Sequence, residues 1–592
     1  MGSTRQSRSR TLPAQPVAAL HDYAFIADGE RGALVGPHGE LAWMCFPGWA
    51  DGSIFSGLHV GPGRYLVTPE GPSVWGGYYE DGTLIWRSRW ATEGGICECH
   101  EALSRPALRD RAVILRRVHA VEHESTFRVE LELRPAYGQA QIPLHEVSKG
   151  VLEGRGGGVY ARWSGAAGAR PLGEGRWLSL RVSSGETHDL ILELSREPFR
   201  DPPPDAEALW AQTRRSWRED VPEFPELHAT REARLAAAVL HGLTTHGGGM
   251  VAAATTSLPE RADRGRNYDY RFCWIRDQCY AGHAAAAGKL WRLLDDSVSF
   301  VSERLHHDGP DLRPVYTTEG RPIPREQALA LRGYPGSGEI RRGNQAGRQF
   351  QLDCFGEGLL LLARAAELDR LDGHGAKAAE LAAQAIARRW TEPDAGVWEV
   401  TDQHYTHSRL ICAAGLRAWA RARGRSRSSS RHLALADKLV ARARAQCTRD
   451  DGAWKRAEGD VRTDAALLVP AFRGAFAGDE PRTAATLAAV ERELMREGYV
   501  YRFRHDEHPL GHAEGAFLLC QFWLALAYQQ LGNPMRALQA FERGRAATGS
   551  PGLYAEEYDV SQRQQRGNLP QAFVHAAMLE CALALEAPSQ SP

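Results

Sequence analysis

This chain has no apolar run of the roughly 18 residues that a membrane-crossing helix needs. It also has almost no net charge: 72 Lys and Arg against 73 Asp and Glu leave −1. That balance argues against nucleic acid or an anionic membrane as a partner. Lysine is scarce beside arginine, which gene base composition explains better than phosphate binding. The ten cysteines are scattered, mostly inside apolar helical patterns where a free thiol acts as a small hydrophobe. The segment "CECH", Cys97 to His100, resembles half of a metal site, but no second half follows at zinc spacing, so no metal is expected. No glycine-rich phosphate cradle is present either. The opening "MGSTRQSRSRTLPAQP" is basic and lacks an apolar core, so it reads as a disordered tail over 1–17 rather than a secretory signal. The expectation is a reduced, cytoplasmic protein.

What is there divides into two periodicities. At 592 residues the chain is too long for one core. Over 18–200 the pattern is that of strands. "FRVELELR" alternates Phe127, Val129, Leu131 and Leu133 with Arg128, Glu130, Glu132 and Arg134, as a half-buried antiparallel strand does. "GALVGPHGELAWMCF" reads as a hairpin around Pro-His-Gly, and "WLSLRVSSGETHDLILELS" as another around Ser-Ser-Gly. Many short strands with glycine-rich turns predict a β-sandwich. A proline-rich break, "PFRDPPPD", leads into a linker with a helix over 201–225.

From 226 to 586 helical periodicity predicts twelve segments: 226–246, 270–291, 296–307, 350–368, 376–390, 407–424, 431–448, 460–476, 481–496, 514–532, 533–548 and 568–586. A tail over 587–592 remains. Six helix pairs fit an α-solenoid or a closed (α/α)6 toroid, and the lack of a sequence repeat argues against the solenoid. Clusters of charged and aromatic residues precede every second helix: "RNYDYRFCWIRD", "GNQAGRQFQLD", "GVWEVTDQHYTHSR", "DVRTD", "VYRFRHDEHPLGHAEGAF" and "YAEEYDVSQRQQRGN". The other turns are short and plain. In a closed barrel the six clusters would meet at one mouth.

Carboxylates, arginines and aromatic platforms suit carbohydrate, whose rings stack on aromatic faces while charged groups bind the hydroxyls. Hydrolysing a glycoside takes one carboxylic acid to protonate the leaving oxygen and one carboxylate to activate water or attack the anomeric carbon. On residue chemistry the candidates are Glu399 and one of Glu556 and Glu557, all in non-helical approaches beside aromatics that exclude water. Each would equally serve as a carboxylate at a helix N-terminus.

The blocks "RNYDYRFCWIRD", "VWEV…THSR", "EGAFLLCQFW", "EEYD" and "GNLPQAFVHAAM" resemble, in order and spacing, those of glycoside hydrolase family 15. The opening "DYAFIADGERGALVGPHGELAWMCFPGWADGSIF" is similar to its prokaryotic members, so the likeness runs over roughly 20–585. The resemblance implies an N-terminal antiparallel β-supersandwich, a helical linker and a C-terminal (α/α)6 catalytic barrel. By motif it implies Glu399 as general acid and Glu556 as general base. Arg276 and Asp277 would grip the non-reducing glucose, with Tyr270, Trp274 and Trp398 shaping the pocket and Arg502 and Glu514 as further contacts. Tyr405 and His407 are additional candidates in the acid's block. The implied activity is inverting, exo-acting and free of any organic cofactor: release of β-glucose from α-gluco-oligosaccharides in the manner of a glucoamylase. The alternatives are an α,α-trehalase or an α-1,6-specific glucohydrolase, and, from another class, a catalytically silent sugar-binding toroid. "WEVTDQHYTHSR" is about two residues shorter than the commoner family version and borders the leaving-group side, so the linkage stays open. Without a starch-binding module, a small α-glucoside is the expected substrate.

Overall fold

The structure is a computed structural model that describes residues 16–261, 266–477, 480–505 and 508–586. Of the two expected tails, 587–592 and all but Pro16 and Val17 of 1–17 lie outside the described residues. Two compact units divide the chain. One holds residues up to Glu80, Leu84–Ser216 and Leu329–Pro335; the other holds Asp81–Thr83, Trp217–Ala328 and the chain from Gly336 on.

The first unit is built from antiparallel sheets. One has the strand order Arg170–Leu172, Gly175–Val182, Ser125–Glu132, Arg64–Pro69. A second runs His145–Ser148, Val151–Gly156, Val159–Ser164, Thr187–Ser195, Arg111–Ala120, Gly95–Leu103, Trp86–Thr92, Ser73–Tyr79. A smaller meander contains the hairpin at Pro-His-Gly, where Gly32–Val35 pairs with Leu41–Cys45. Ile26, Val67, Val129, Cys99, Ile114 and Leu192, drawn from all three sheets, share one core. The alternation in Ser125–Glu132 holds, with one exception. Glu130 is buried on the polar face because Arg64 and Arg128 reach it at 2.8 and 2.5 Å.

The second expected hairpin is not one. Gly175–Val182 pairs with Ser125–Glu132, whereas Thr187–Ser195 pairs with Val159–Ser164 and Arg111–Ala120. The Ser-Ser-Gly turn therefore carries the chain from one sheet to the other. Both strands have one apolar face, and local alternation cannot distinguish pairing from a sheet crossing.

Helices follow. α1 (Ala206–Asp220) lies in the expected linker, and α2 (Thr230–Leu243) opens the helical series. Then come α3 (Ile275–Gly288), α4 (Trp291–Asp308), α5 (Asp353–Glu367), α6 (Gly373–Arg389), α7 (Thr406–Ala422) and α8 (Arg427–Gln446). The series ends with α9 (Val469–Phe472), α10 (Pro481–Leu494), α11 (Leu518–Gln530), α12 (Pro534–Arg545) and α13 (Ala572–Glu586). The expected helix over 460–476 shrinks to a 3-10 turn, Ala465–Leu468, followed by the short α9. Asp464 caps that turn by accepting from the Ala466 N–H at 2.9 Å, and Gly474, at φ +81°, ends it. Other helices begin later than expected because the chain enters them extended: Cys273–Trp274 pairs with Val315–Tyr316 before α3, and Ala516–Phe517 pairs with Glu557–Tyr558 before α11.

Helices α3, α5, α7, α9, α11 and α13 each contact the next, and α13 returns to α3. Outside them, α4, α6, α8, α12 and α2 pack on α3, α5, α7, α11 and α13 respectively. No helix of the described residues is long and apolar enough to cross a membrane. Backbones of α5 and α7 approach closely where Gly415 faces Gly356: a Cβ on Gly415 would lie 2.5 Å from the Gly356 carbonyl oxygen. Gly415→Val should therefore destabilise the helical unit by roughly 1–3 kcal/mol, read as a lower urea midpoint of its transition. An unchanged midpoint would show that the two helices have room to part.

Candidate active site

Eight of the nine residues expected at the site line one pocket in the helical unit: Tyr270, Trp274, Arg276, Asp277, Trp398, Glu399, Arg502 and Glu556. The pocket combines charged groups with aromatic and aliphatic walls from Phe517, Leu519 and Phe573, the mixed lining of a small-ligand site. They arrive on the approaches to α3, α7, α11 and α13, or in the first turn of α3. Arg276 and Asp277 are the second and third residues of that helix.

Glu399 sits on the turn before α7 with φ +57°, in the left-handed region that costs a non-glycine residue roughly 1–2 kcal/mol. The turn is held by backbone bonds from Glu399 N–H to Gly396 and from Val400 N–H to Ala395, and Gln349 donates to the Glu399 carbonyl at 3.2 Å. Its side chain is equally constrained. Oε1 accepts from Trp274 Nε1 at 2.5 Å, Gln351 Nε2 at 3.1 Å and Arg276 Nη2 at 3.4 Å. Arg276 in turn donates to Gln351 at 2.8 Å and to Asp353 at 3.1 Å. Beside Glu399, Trp398 is anchored by Nε1 donating to Asp464 at 2.8 Å and packs against Phe517.

The adjacent glutamates have different surroundings. Glu556 lines the pocket; the Tyr270 hydroxyl donates to its Oε1 at 2.8 Å and Gln571 at 3.4 Å, while buried Oε2 has no partner among the described residues. Burial, with the charge of Glu260 nearby, pushes its carboxyl well above the usual range, against the pull of Tyr270 and Arg502. Glu557 is turned away from the pocket and accepts from the Gly515 N–H at 2.6 Å, tying its strand to Ala516–Phe517. Asp277 is also dry: burial raises its carboxyl to about 7 despite Arg276 beside it.

Glu514, the ninth candidate, stands behind the wall. It accepts from Arg502 Nε at 2.9 Å and Nη2 at 2.5 Å, and from His505 at 2.6 Å. Burial opposes its ionisation, yet the Arg502 charge and His505 hold it down to about 2. Arg502 is thereby pinned over Phe517, 4.5 Å from the ring centre. Carboxylate oxygens of Glu260, Glu514 and Glu557 lie within 4.8 Å of one another, but Arg502 and Arg266 already supply the charge a cation would bring. Tyr405 and His407 line a separate small cavity behind Trp398. Burial pushes the His407 imidazole down to about 4.

Sequence reasoning missed Gln351, Asp353, Gln571 and Phe573. The first two stand in the quoted cluster "GNQAGRQFQLD", and the last two in "GNLPQAFVHAAM", so position pointed to them while their uncharged or apolar neighbours gave no reason to select them.

Comparison with known proteins bears on all of this. The model of a trehalase-like N-terminal domain matches residues 6–156, and that of the glycosyl hydrolases family 15 matches residues 236–583. A trehalase of Mycolicibacterium smegmatis is 29% identical across 96% of this chain and 91% of its own. A trehalase of Mycobacterium tuberculosis is likewise 29% identical, across 96% and 90%. A crystal structure of bacterial glucoamylase complexed with acarbose has the same fold, with a TM-score of 0.71 over 98% of this chain and 96% of that one at 12% identity. The family match covers more than half of the sequence, including every residue lining the pocket, and the chain is a glycoside hydrolase belonging to family 15.

Proposed function

We propose that the enzyme is an inverting α-glucoside hydrolase acting on α,α-trehalose, with Glu399 as general acid and Glu556 as general base. The observation that carries the substrate is the pair of relatives named trehalase, similar over nearly the whole chain. Sequence alone puts α-gluco-oligosaccharides first and trehalose among the alternatives, and the relatives named trehalase favour trehalose. The cyclic contacts of α3, α5, α7, α9, α11 and α13 support an (α/α)6 barrel, and the sheets with a common core support a β-supersandwich. Cys97, Cys99, Cys273, Cys279, Cys354, Cys412, Cys447, Cys520 and Cys581 are buried and form no disulfide among the described residues, which fits a reducing, cytoplasmic setting.

One glucose enters with its hydroxyls toward Arg276 and Asp277 and its ring against Trp274 and Trp398. Three donors hold Oε1 of Glu399, so the proton for the glycosidic oxygen resides on Oε2. The C1–O bond breaks as that proton transfers and the freed sugar departs as an alcohol. On the opposite face Glu556 takes a proton from water, whose oxygen bonds to C1 with inversion; inverting pairs leave roughly 6.5–9.5 Å between carboxyls for that water. Unpartnered Oε2 of Glu556 is the acceptor available to it. Glu514 positions Arg502, whose charge favours the ionised base.

The assay is glucose release from trehalose, maltose, isomaltose and maltotriose, with the anomers followed by NMR before mutarotation. Trehalose should be the preferred substrate and yield α- and β-glucose in equal amounts. Two α-glucoses would mean retention and overturn the mechanism; preference for maltotriose would restore the glucoamylase-like reading. No release from any of the four sugars would leave a silent binder. Glu399→Gln and Glu556→Gln should each lower kcat by at least roughly 100-fold without lowering thermal stability. Wild-type turnover in either variant rejects the assignment.

The pH profile adds a further test. Glu556 acts only when ionised, and its raised pKa places the acid limb of kcat/KM above the usual carboxylate range. The Tyr270 hydroxyl favours the ionised form, so Tyr270→Phe raises that pKa further and should move the limb to higher pH. A limb that stays put or moves down would remove Tyr270 from the base's environment.

A further inference from the structure

The stretch Cys97–His100 plays no part in the pocket, and its strand splits it into two faces. Cys97 and Cys99 are fully buried in the core of the sheets. Glu98 and His100 alternate with them and point to the opposite face. Antiparallel register sets His119 of the neighbouring strand, Arg111–Ala120, directly across from Glu98. An i, i+2 pair and a cross-strand partner therefore share one face. Donor atoms of Glu98, His100 and His119 all lie within 4.8 Å of one another, with Glu98 Oε2 and His100 Nε2 3.0 Å apart. The imidazoles stand at 88° with centres 6.2 Å apart. His100, 8% exposed, keeps a buried Nδ1 with no partner among the described residues.

Two imidazoles and a carboxylate form a donor set for zinc-like ions that leaves a coordination position for water. Bonds of roughly 2.0–2.2 Å would hold such donors about 3–3.5 Å apart; the Glu98–His100 pair is already at 3.0 Å, and His119 lies within 4.8 Å of both. Nearby arginines are the counter-argument; Arg87 and Arg117 have carboxylates elsewhere, and Arg89 shares Glu98 through its other oxygen. Arg89 binds the other Glu98 oxygen, Oε1, at 2.6 Å, which orients the carboxylate and leaves Oε2 toward the histidines. Arg87, 3.9 Å from Oε2, pairs with Glu80 at 2.8 Å, and Arg117 pairs with Asp189 at 2.8 Å and Glu207 at 2.5 Å. We propose that Glu98, His100 and His119 bind one divalent transition-metal ion of the zinc or cobalt class, as a clip across two strands of the eight-stranded sheet. The missing half of the "CECH" motif is thus a residue on the next strand, and the cysteines take no part.

Chelator-treated full-length protein is titrated with Co²⁺ and Zn²⁺ by calorimetry, with the visible spectrum recorded for Co²⁺. The expected result is saturable binding whose Co²⁺ spectrum has no thiolate charge-transfer band, and a rise in thermal midpoint with Zn²⁺. His119→Gln and His100→Gln should each weaken the site by more than roughly 100-fold, beyond the loss of an outer partner, and abolish the Zn²⁺-induced rise. Circular dichroism and the metal-free melting curve verify that both variants fold, and His508→Gln, in the other unit, should bind as wild type does. Equal affinity in wild type and His119→Gln, no saturable binding below millimolar metal, or a thiolate band would each overturn the proposal. None of these readouts involves sugar hydrolysis, so the result stands apart from the proposed substrate.

Discussion

A single oxygen, Oε1 of Glu399, takes hydrogen bonds from Trp274, Gln351 and Arg276, and those residues come from the entrances and first turns of two different helices. The carboxylate therefore depends on α3, α5 and the turn before α7 keeping their mutual positions. Arg276 closes the circuit by binding Asp353, the first residue of α5. Gly356 and Gly415 let α5 and α7 approach closely enough for that geometry. A left-handed backbone at Glu399 persists because the surrounding bonds over-determine it. Rigid elements hold the charge-bearing atoms before any substrate arrives, which is the condition for electrostatic preorganisation.

The two glutamates lining the pocket show how environment sets identical side chains apart. Glu399 has one oxygen saturated with donors. Glu556 is dry, has an oxygen without a partner and is pushed toward neutrality by burial, with Tyr270 and Arg502 countering. Holding a carboxylate in that state works against folding stability, as functional sites commonly do. The charge of Arg502 is directed there by Glu514, so a residue that does not face the pocket still governs its field.

Strand and helix periodicities were legible from burial alternation, and the approaches carrying the site were legible as charged, aromatic interruptions of it. Separating Glu556 from Glu557 needed the family resemblance, because neighbouring carboxylates look alike in composition. The destination of a strand after a turn was not legible: Gly175–Val182 and Thr187–Ser195 each alternate, yet they pair in different sheets. Nor was the collapse of 460–476 to a short turn, which follows from Asp464 serving as cap and as anchor of Trp398. Gln351 carries no charge, so nothing local marked it. His119 lies 19 positions from His100, and only the register of two strands brings them together.

The Ser-Ser-Gly crossing is one of several points at which the chain leaves one sheet of the first unit for another. Arg64–Pro69 and Ser125–Glu132 are neighbours in one sheet, yet strands of the other lie between them in the chain. Neither sheet can be completed while the other is open, so partial assembly leaves long unpaired edges and half a core. Long-range pairing of this kind is slow to form, because loops must close before contacts repay the lost entropy. The unit should consequently be gained and lost as one cooperative block, with amide hydrogens of both sheets sharing a single opening event rather than fraying independently.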